Sequence, residues 1–287
     1  MKTNRITLTF LACTALTANL LGQSRLIKSA DVADETALTT TINVDYGSLK
    51  LKAGDPSKLF SVNALYDSDA MDPDLVFKRG KATAKLVFST NSSGINMSNR
   101  KSDENGDFQS TMQLSPSVGH DLQISIGAGE SDIDLSGLTV TSLDLSNGAG
   151  SCKLTSATPN PETIRHITIQ SGVGEVEAKG LSNLNFRKLT VNNGIGQITL
   201  DFSGKAEGHK AVTIETGVGE IKVLIPAGVG VMVRDDSGFF SNLSVPKNYT
   251  QEEETYYSPN YETAKATIEF DVSTGIGEIR FVTLRER

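Results

Sequence analysis

The sequence predicts an all-β protein built as a single-stranded parallel β-solenoid, similar to a β-helix, with about seven coils and an N-terminal β cap. Three observations predict this fold. A Gly-x-Gly-polar motif occurs six times, its first five copies recur every 21 to 24 residues, and each copy follows a run of alternating apolar and polar residues. The motif glycines, which we expect at turns, are Gly127, Gly129, Gly148, Gly150, Gly172, Gly174, Gly194, Gly196, Gly217, Gly219, Gly275 and Gly277.

The residues before each motif predict a strand with one buried face. Five and three positions before the first glycine every copy carries an apolar residue, and the residue between them is always polar. Such alternation places one row of side chains inside and the other outside. The position three residues before the glycine holds Ile124, Leu145, Ile169, Val191, Ile214 and Val272.

The residue between the two glycines is apolar in every copy, and we expect it to point inward at a corner of the coil. The flanking glycines allow the chain to turn there, in backbone conformations that side chains disfavour. These residues are Ala128, Ala149, Val173, Ile195, Val218 and Ile276.

The residue after the second glycine is either acidic or polar and neutral. In chain order it is Glu130, Ser151, Glu175, Gln197, Glu220 and Glu278. A distorted coil with Val233, Gly238 and Ser241 is expected between the last two copies, which would place Ser241 between Glu220 and Glu278. Acids two coils apart would lie about 9–10 Å from one another, near the Debye length. We interpret the column as a solvated edge; the alternative is a cation ladder, for which this spacing is too long.

A β-meander with Gly-x-Gly as hairpin turns is the competing fold. Hairpins favour Asn-Gly or Asp-Gly pairs and closer repeats. Identical columns at intervals of 21 to 24 residues therefore favour one coil per repeat.

Residues 1–24 are predicted to be an export signal. Lys2 and Arg5 precede an uncharged, mostly apolar stretch at 6–21, and small and polar residues follow. Four threonines within sixteen residues make this stretch a poor membrane span. We expect cleavage near 22–24, no transmembrane span afterwards, and a location in the periplasm, in the cell envelope or outside the cell.

The two cysteines are not expected to form a disulfide. Cys13 lies early in the signal, with apolar sequence after it, which disfavours a lipid anchor there. Removal of the signal would leave Cys152 alone.

Residues 25–116 lack the period and are predicted to form a β cap over the first coil, with a partial coil around 42–51.

Residues 117–287 are predicted to form the repeat domain, interrupted by an acidic, Tyr-rich excursion at 246–265. Long loops often carry function, and Tyr is favoured at binding surfaces; the alternative is that these rings pack over the distorted coil. The candidate interaction patch consists of Tyr249, Tyr256, Tyr257 and Tyr261.

Composition and motifs argue against several functions. The net charge of −7 disfavours a nucleic-acid binder. Each Gly-x-Gly opens a strand and not a helix, which excludes a dinucleotide fingerprint. The histidines occur singly, without a Cys or acid partner at metal-ligand spacing; they are His120, His166 and His209. No catalytic residue, cofactor or metal is predicted.

An acidic group on the outer face is the nearest approach to an active site. Some parallel β-helices cleave acidic polysaccharides, so Asp132, Asp134 and Asp144 could act as an acid cluster. We interpret them as the solubilising face of an acidic exported protein.

Two stretches resemble bacterial toast-rack proteins. One runs from Ser115 through the first motif to 135–138, and the other from Ser258 to Lys265 and into the Gly-Ile-Gly-Glu strand at 275–278. The likeness covers roughly residues 40–284. This family is related to the C-terminal domain of LiaF-like cell-wall-antibiotic response proteins and to adhesin-type repeat proteins. The resemblance implies a β-solenoid without catalytic residues.

These observations predict an exported, non-catalytic, adhesin-like interaction module of the cell envelope or surface, with an unidentified envelope protein or glycan as partner. LiaF itself carries membrane helices and inhibits an envelope-stress histidine kinase, so a LiaF-like regulator is the alternative. A polysaccharide-active β-helix enzyme is the less favoured third possibility.

Overall fold

The computed structural model describes residues 23–91, 108–238 and 240–284. Residues 1–22 of the predicted export signal, including Cys13, lie outside these ranges. The described part of the chain contains β-strands, one 3-10 helix at Leu181–Leu184 and no α-helix. The strands are β1 (Gln23–Asp31), β2 (Ala37–Ala53), β3 (Lys58–Asp67), β4 (Asp72–Arg79), β5 (Thr83–Asn91), β6 (Phe108–Leu114), β7 (Gly119–Asp134), β8 (Thr139–Thr155), β9 (Ile164–Lys179), β10 (Phe186–Asp201), β11 (Gly208–Pro226), β12 (Gly230–Asp235), β13 (Phe240–Ser244), β14 (Thr250–Glu252), β15 (Thr255–Tyr257) and β16 (Ala266–Leu284).

Seven long strands stack side by side in parallel, in the order β2-β7-β8-β9-β10-β11-β16. Equivalent residues pair across the stack: Val191 pairs with Ile169 on one side and with Ile214 on the other. The all-β, mostly parallel architecture predicted from the sequence is therefore confirmed, and the β-meander is excluded.

The inward columns form the core. The residues five and three positions before the first glycine of each motif are at most 3% exposed. Full burial of one such side chain stabilises the fold by about 1.5–3 kcal/mol. Since each coil repeats the same inward positions, the core is continuous from β2 to β16.

The second glycine of each motif makes the corner. From Gly129 to Gly277 its φ lies between 118° and 154°, a region that L side chains rarely adopt. At Gly196 a Cβ atom would also lie only 1.8 Å from the carbonyl oxygen of Gly174 in the neighbouring coil. Both the conformation and the close approach of the coils therefore require glycine at this position.

The expectation that the residue between the glycines points inward is wrong. Val173, Ile195 and Ile276 are each 54% exposed, and Val218 is 42% exposed. Asn193 is buried whereas Ile195, two residues later, is exposed, so the inside–outside alternation breaks at the corner. Inward side chains resume at the second residue after the corner glycine, as at Ile198.

The expected place of the distorted coil is also wrong. β16 pairs directly with β11, and β12 and β13 lie beyond β16. Glu220 therefore neighbours Glu278 directly, and Asn242, instead of Ser241, is the next residue of that column. The 230–244 coil carries Asp235 in an apolar column and Ser241 in the column of the corner glycine, so it is suited to the end of the stack, where only one side meets another coil.

Both ends of the parallel stack are covered by further strands. β5 and β6 pair with the two halves of β2, and β3 and β1 continue from β6 in antiparallel order. At the other end, the β14–β15 hairpin pairs with β12. These additional strands reduce the length of exposed sheet edge, which could otherwise pair with strands of other chains. The parallel stack itself begins at β2, within the segment assigned to the cap.

One lysine lies inside the stack. Lys210 is 2% exposed; its Nζ donates a hydrogen bond to the carbonyl oxygen of Phe186 at 3.2 Å and lies 5.0 Å from the centre of the Phe186 ring. Burial lowers the pKa of Lys210, and the charge of Glu207 opposes this in part. The unfolded chain therefore holds the Lys210 proton more tightly than the folded chain. This residue destabilises the folded protein at neutral pH, and the penalty is lost as the pH rises towards 10.5.

We expect Lys210→Met to raise the free energy of unfolding at pH 7 by about 1 kcal/mol, because an apolar side chain replaces a buried charge. The gain should shrink as the pH approaches 10, where the wild-type lysine loses its proton. Urea unfolding from pH 7 to 10 measures both effects, with the exposed Lys222→Met as control. A gain that is equal at all these pH values would contradict this explanation.

Candidate interaction surface

An apolar column runs along the outer corner of the stack. In spatial order this corner column consists of Ala128, Ala149, Val173, Ile195, Val218, Ile276 and Phe240, and Tyr46 of β2 lies in register beyond Ala128. Neighbouring coils are about 4.8 Å apart, so the column is about 29 Å long. Phe240 at its end is 74% exposed. Single exposed apolar residues are common, but a contiguous exposed strip marks an interaction surface.

Residue size along this corner is smallest at the two alanines. Tyr46 precedes them in register, and valine and isoleucine alternate after them as far as Phe240. The β-branched members suit a strand, and each partly covers its neighbours, which explains why they are about half exposed and not fully exposed. The flanking glycines carry no side chains, so the column stands above the adjacent backbone.

A column of acidic and neutral residues follows the corner column on one side. This carboxylate column consists of Glu130, Ser151, Glu175, Gln197, Glu220, Glu278 and Asn242 in spatial order. The alternation expected from the sequence holds as far as Glu220 and fails at the Glu220–Glu278 pair.

Arg280 donates two hydrogen bonds to Oε1 of Glu278, at 2.9 and 3.2 Å. That contact raises the pKa of Arg280, and the charge of Glu220 adds to the effect.

We expect Arg280→Gln to lower the Tm in low salt and to have a much smaller effect in high salt. The loss of the guanidinium leaves two carboxylates on neighbouring coils without a counter-charge, and salt screens their repulsion. The double variant Arg280→Gln/Glu278→Gln removes one of these carboxylates and should recover the Tm. Thermal unfolding in low and high salt measures the effect; an equal loss in both would contradict it.

A shallow groove of about 610 Å³ lies on the other side of the corner column. Its outward-facing side chains include Gln170, Asn192 and Glu215, and the first glycine of several motifs lines it. The corner column is therefore flanked on the groove side by amides, hydroxyls and the Glu215 carboxylate, and on the other side by the carboxylate column.

A second column of polar residues is buried beneath the corner. Asn193 donates a hydrogen bond from Nδ2 to Oγ1 of Thr216 at 3.0 Å, and both residues are at most 7% exposed. This column was not anticipated from the sequence. Its signal is the residue directly before the first glycine, which is polar in five of the six motifs. Its buried members are Asn147, Ser171, Asn193, Thr216 and Thr274.

The four tyrosines of the candidate patch lie at the end of the stack. The rings of Tyr257 and Tyr261 are 5.5 Å apart, and the Tyr261 hydroxyl donates a hydrogen bond to Glu269 at 2.6 Å, which raises its pKa to about 12. Tyr249 and Tyr256 pack against the hydrophobic core. Burial raises the pKa of Tyr249 to about 12. All four are half-buried, so only part of each ring is open to a partner.

The three histidines lie on three different strands, β7, β9 and β11. Nε2 of His120 donates a hydrogen bond to the carbonyl oxygen of Ser115 at 2.6 Å, and burial lowers the pKa of this histidine. His166 bonds with Thr190. Nε2 of His209 lies 3.6 Å from Oε2 of Glu269, an acid partner that the sequence spacing did not reveal.

Asp132 and Asp134 lie on β7 after the corner, whereas Asp144 lies on β8 before the corner, opposite Gln123. Asp132 forms an ion pair with Lys50 at 3.6 Å, and Asp134 accepts a hydrogen bond from the amide of Ser136. Cys152 is buried, and burial raises its pKa. Within residues 23–91, 108–238 and 240–284, no three His, Cys, Asp or Glu side chains gather as metal ligands would.

The described segments contain no helix with the length and apolar character needed to cross a membrane.

Fold and surface together define a repeat protein of stacked parallel strands, with an apolar corner column between two polar columns. Residues 22–179 match the family model described as the N-terminal domain of toast_rack. Residues 173–281 match the one described as cell wall-active antibiotics response LiaF, C-terminal. The chain belongs to the toast-rack family, as the sequence resemblance predicted.

Solved structures also resemble this chain. A candidate cell adhesion protein from Clostridium sporogenes is 20% identical with a TM-score of 0.49, over 91% of this chain and 100% of that chain. A candidate adhesin from Bacteroides fragilis is 14% identical with a TM-score of 0.37, over 90% of this chain and 97% of that chain. Likeness at this level carries no functional argument. No curated protein is significantly similar to the chain.

Proposed function

We propose that this chain is an exported, non-catalytic interaction module of the cell envelope or surface, of adhesin-like type. In this proposal residues 1–24 direct export, and the mature chain is a β-solenoid of about seven coils with an N-terminal β cap. The partner is an envelope protein or glycan. The single observation that carries the proposal is the exposed corner column.

The corner column supports binding for two physical reasons. The backbone of its valine and isoleucine residues is fixed by strand pairing on both sides, and their β-branched side chains have few rotamers, so little conformational entropy is lost when a partner covers them. Burial of exposed apolar surface then contributes about 25 cal/mol per Å² before the costs of association. The Tyr-rich patch is the second candidate surface, but its rings already pack against the end of the stack.

Capture of envelope components on the immobilised protein tests the proposal. The corner variant replaces Val173, Ile195, Val218 and Ile276 with Thr, which keeps the β-branched shape and removes apolar surface. The tyrosine variant replaces Tyr249, Tyr256, Tyr257 and Tyr261 with Ser. We expect the corner variant to lose capture while keeping its Tm. Equal capture by wild type and both variants would reject both surfaces.

A LiaF-like envelope-stress regulator is the second candidate function, favoured by the family match over residues 173–281. It predicts that deletion of the gene changes the output of an envelope-stress kinase reporter. An unchanged reporter would discard it.

A further inference from the structure

We propose that Arg165 and Arg187 bind a phosphate group of a phosphate-bearing sugar or polyol chain, which runs along β9 and β10 towards the groove. This arginine site lies on the outer face before the corner, so it is separate from the corner column and goes beyond the proposed function. The unpaired arginines, the neutral polar rows beside them and the acids on the neighbouring strands support it.

Most arginines in the described ranges bind a side chain of the protein. They are Arg25, Arg79, Arg234 and Arg280, which contact Asn63, Glu35, Asp271 and Glu278 respectively. The other two, Arg165 and Arg187, have no hydrogen bond or ion pair with the described residues, and both are exposed. These two guanidinium groups are therefore free to bind an external anion.

The two unpaired arginines lie side by side. Lys188 of β10 pairs with His166 of β9. Arg187 and Arg165 directly precede them, so the two arginines are also opposite one another, about 4.8 Å apart. Like charges in this arrangement destabilise a sheet. Lys188 is exposed, has no ion pair with the described residues and adds a third positive charge, so a bound anion would relieve the repulsion.

Two guanidinium groups at this spacing suit a phosphate better than a carboxylate. A carboxylate has its two oxygens in one plane, and a single guanidinium can occupy both of them in a bidentate pair. The free oxygens of a phosphate point in tetrahedral directions, so Arg165 and Arg187 can each bind a different side of it. Lys188 can approach the same group as a point charge.

Neutral hydrogen-bonding side chains continue from the arginines towards the corner. On β9 and β10 the outward-facing residues of this stretch are Thr168, Gln170, Thr190 and Asn192. From Arg187 to Asn192 the strand covers about 17 Å. Hydroxyls and amides both donate and accept hydrogen bonds, as the hydroxyls of a sugar or polyol require. The path ends at the groove of about 610 Å³, which Gln170 and Asn192 line.

Acidic residues beside this path limit the width of the ligand. Asp144 of β8 lies opposite Thr168, and Glu215 of β11 lies opposite Asn192; both carboxylates are exposed. A flat anionic membrane on the arginines would also meet these carboxylates, on a protein whose net charge is already −7. A single chain along β9 and β10 avoids them, so the geometry favours a polymer over a membrane surface.

One further acid lies close to the arginines along the chain. Glu162, in the loop before β9, is exposed and has no ion pair with Arg165 within the described residues. The positive charges of Arg165, Arg187 and Lys188 outnumber this single negative charge. The site therefore keeps a net positive charge, and we expect its binding to weaken as salt screens it.

Fluorescence anisotropy with a labelled tetramer of glycerol phosphate tests the arginine site on the purified protein. Arg165→Gln/Arg187→Gln should weaken binding at least tenfold. Lys153→Gln/Lys222→Gln removes the same charge from the outer face after the corner and should change binding less than twofold. A wild type that does not bind the tetramer, or equal losses in the two double variants, would overturn the proposal.

Two other anionic ligands test the chemistry of the partner. Tetragalacturonate carries carboxylates in place of phosphates, and vesicles of phosphatidylglycerol carry phosphates on a flat surface. We expect the wild type to bind each of them at least tenfold more weakly than the glycerol phosphate tetramer. Equally tight binding of tetragalacturonate would overturn the choice of phosphate, and equally tight binding of the vesicles would overturn the polymer in favour of a membrane.

The threonine row tests whether the chain of the ligand follows the strands. Thr168→Val/Thr190→Val keeps the β-branched shape and removes two hydroxyls, so it should weaken binding of the tetramer about threefold or more. The rise in Tm with inorganic phosphate should stay as in wild type, because the arginines are intact. Thr199→Val, after the corner, is the control. Unchanged binding of the tetramer by Thr168→Val/Thr190→Val would contradict the proposed path.

The arginine site and the corner column can be tested separately. The corner variant should bind the tetramer as tightly as wild type. A loss of tetramer binding in the corner variant, with none in Arg165→Gln/Arg187→Gln, would move the ligand to the corner and overturn the arginine site. A corner variant that keeps both envelope capture and tetramer binding would reject the corner column and leave the arginine site in place.

Discussion

Gly196→Ala is expected to destabilise the protein by more than about 4 kcal/mol or to prevent folding, which is at the extreme end of single substitutions. Two costs add at this position. A φ of 147° lies outside the regions open to alanine. The new Cβ would also lie 1.8 Å from the carbonyl oxygen of Gly174, and both backbones are fixed by pairing with further coils. Urea unfolding followed by circular dichroism measures the loss.

Gly208→Ala is the matched control for this prediction. Gly208 also has a positive φ, of 63°, but a Cβ there meets no atom within 4 Å. The cost should therefore be limited to the backbone term of about 1–2 kcal/mol. Equal losses in the two variants would show that the close approach of neighbouring coils contributes nothing.

Phe270→Ala is expected to cost about 3–5 kcal/mol. Phe270 is fully buried on β16, and its ring packs edge-on against Phe202 at 5.3 Å and Phe281 at 5.0 Å. The substitution leaves a cavity in the strand that joins the regular coils to the distorted one, and paired strands on both sides prevent its collapse. Thermal and urea unfolding measure the effect.

Phe240→Ala is the control for Phe270→Ala. Both remove a phenyl ring from neighbouring coils, but Phe240 is 74% exposed and lies in the corner column. The stability change should be within about 0.5 kcal/mol. A loss close to that of Phe270→Ala would mean that the corner column is part of the core, contrary to the structure.

The parallel stack could be predicted from the sequence because its causes are local and repeated. The alternation that ends at Val191 and the glycines around Ile195 recur in every coil, so one coil predicts the next. The direction of Ile195 could not be predicted in the same way. An apolar residue between two glycines has the same sequence pattern whether it faces in or out.

The spatial order of the last coils is a second feature that could not be predicted from the sequence. Columns read along the chain place the 230–244 coil before β16, whereas in space it comes after. A coil that cannot pair with a further coil on both of its sides is suited to the end of the stack. Asp235 in an apolar column and the absence of a complete Gly-x-Gly motif at Gly238 were the available signals. The adjacent pair Glu220–Glu278 and the role of Arg280 follow only from the spatial order.

Disulfide formation between corner positions tests the central structural claim most directly. In-register neighbours on adjacent strands lie within the Cα distance that a disulfide needs. Mild oxidation of dilute protein should close an intramolecular disulfide in Val218→Cys/Ile276→Cys and in Ile276→Cys/Phe240→Cys, detected by mass spectrometry. The pair Val218→Cys/Phe240→Cys, separated by β16, should stay open. Closure of that pair, with Val218→Cys/Ile276→Cys remaining reduced, would contradict the stacking order and the outward-facing corner column.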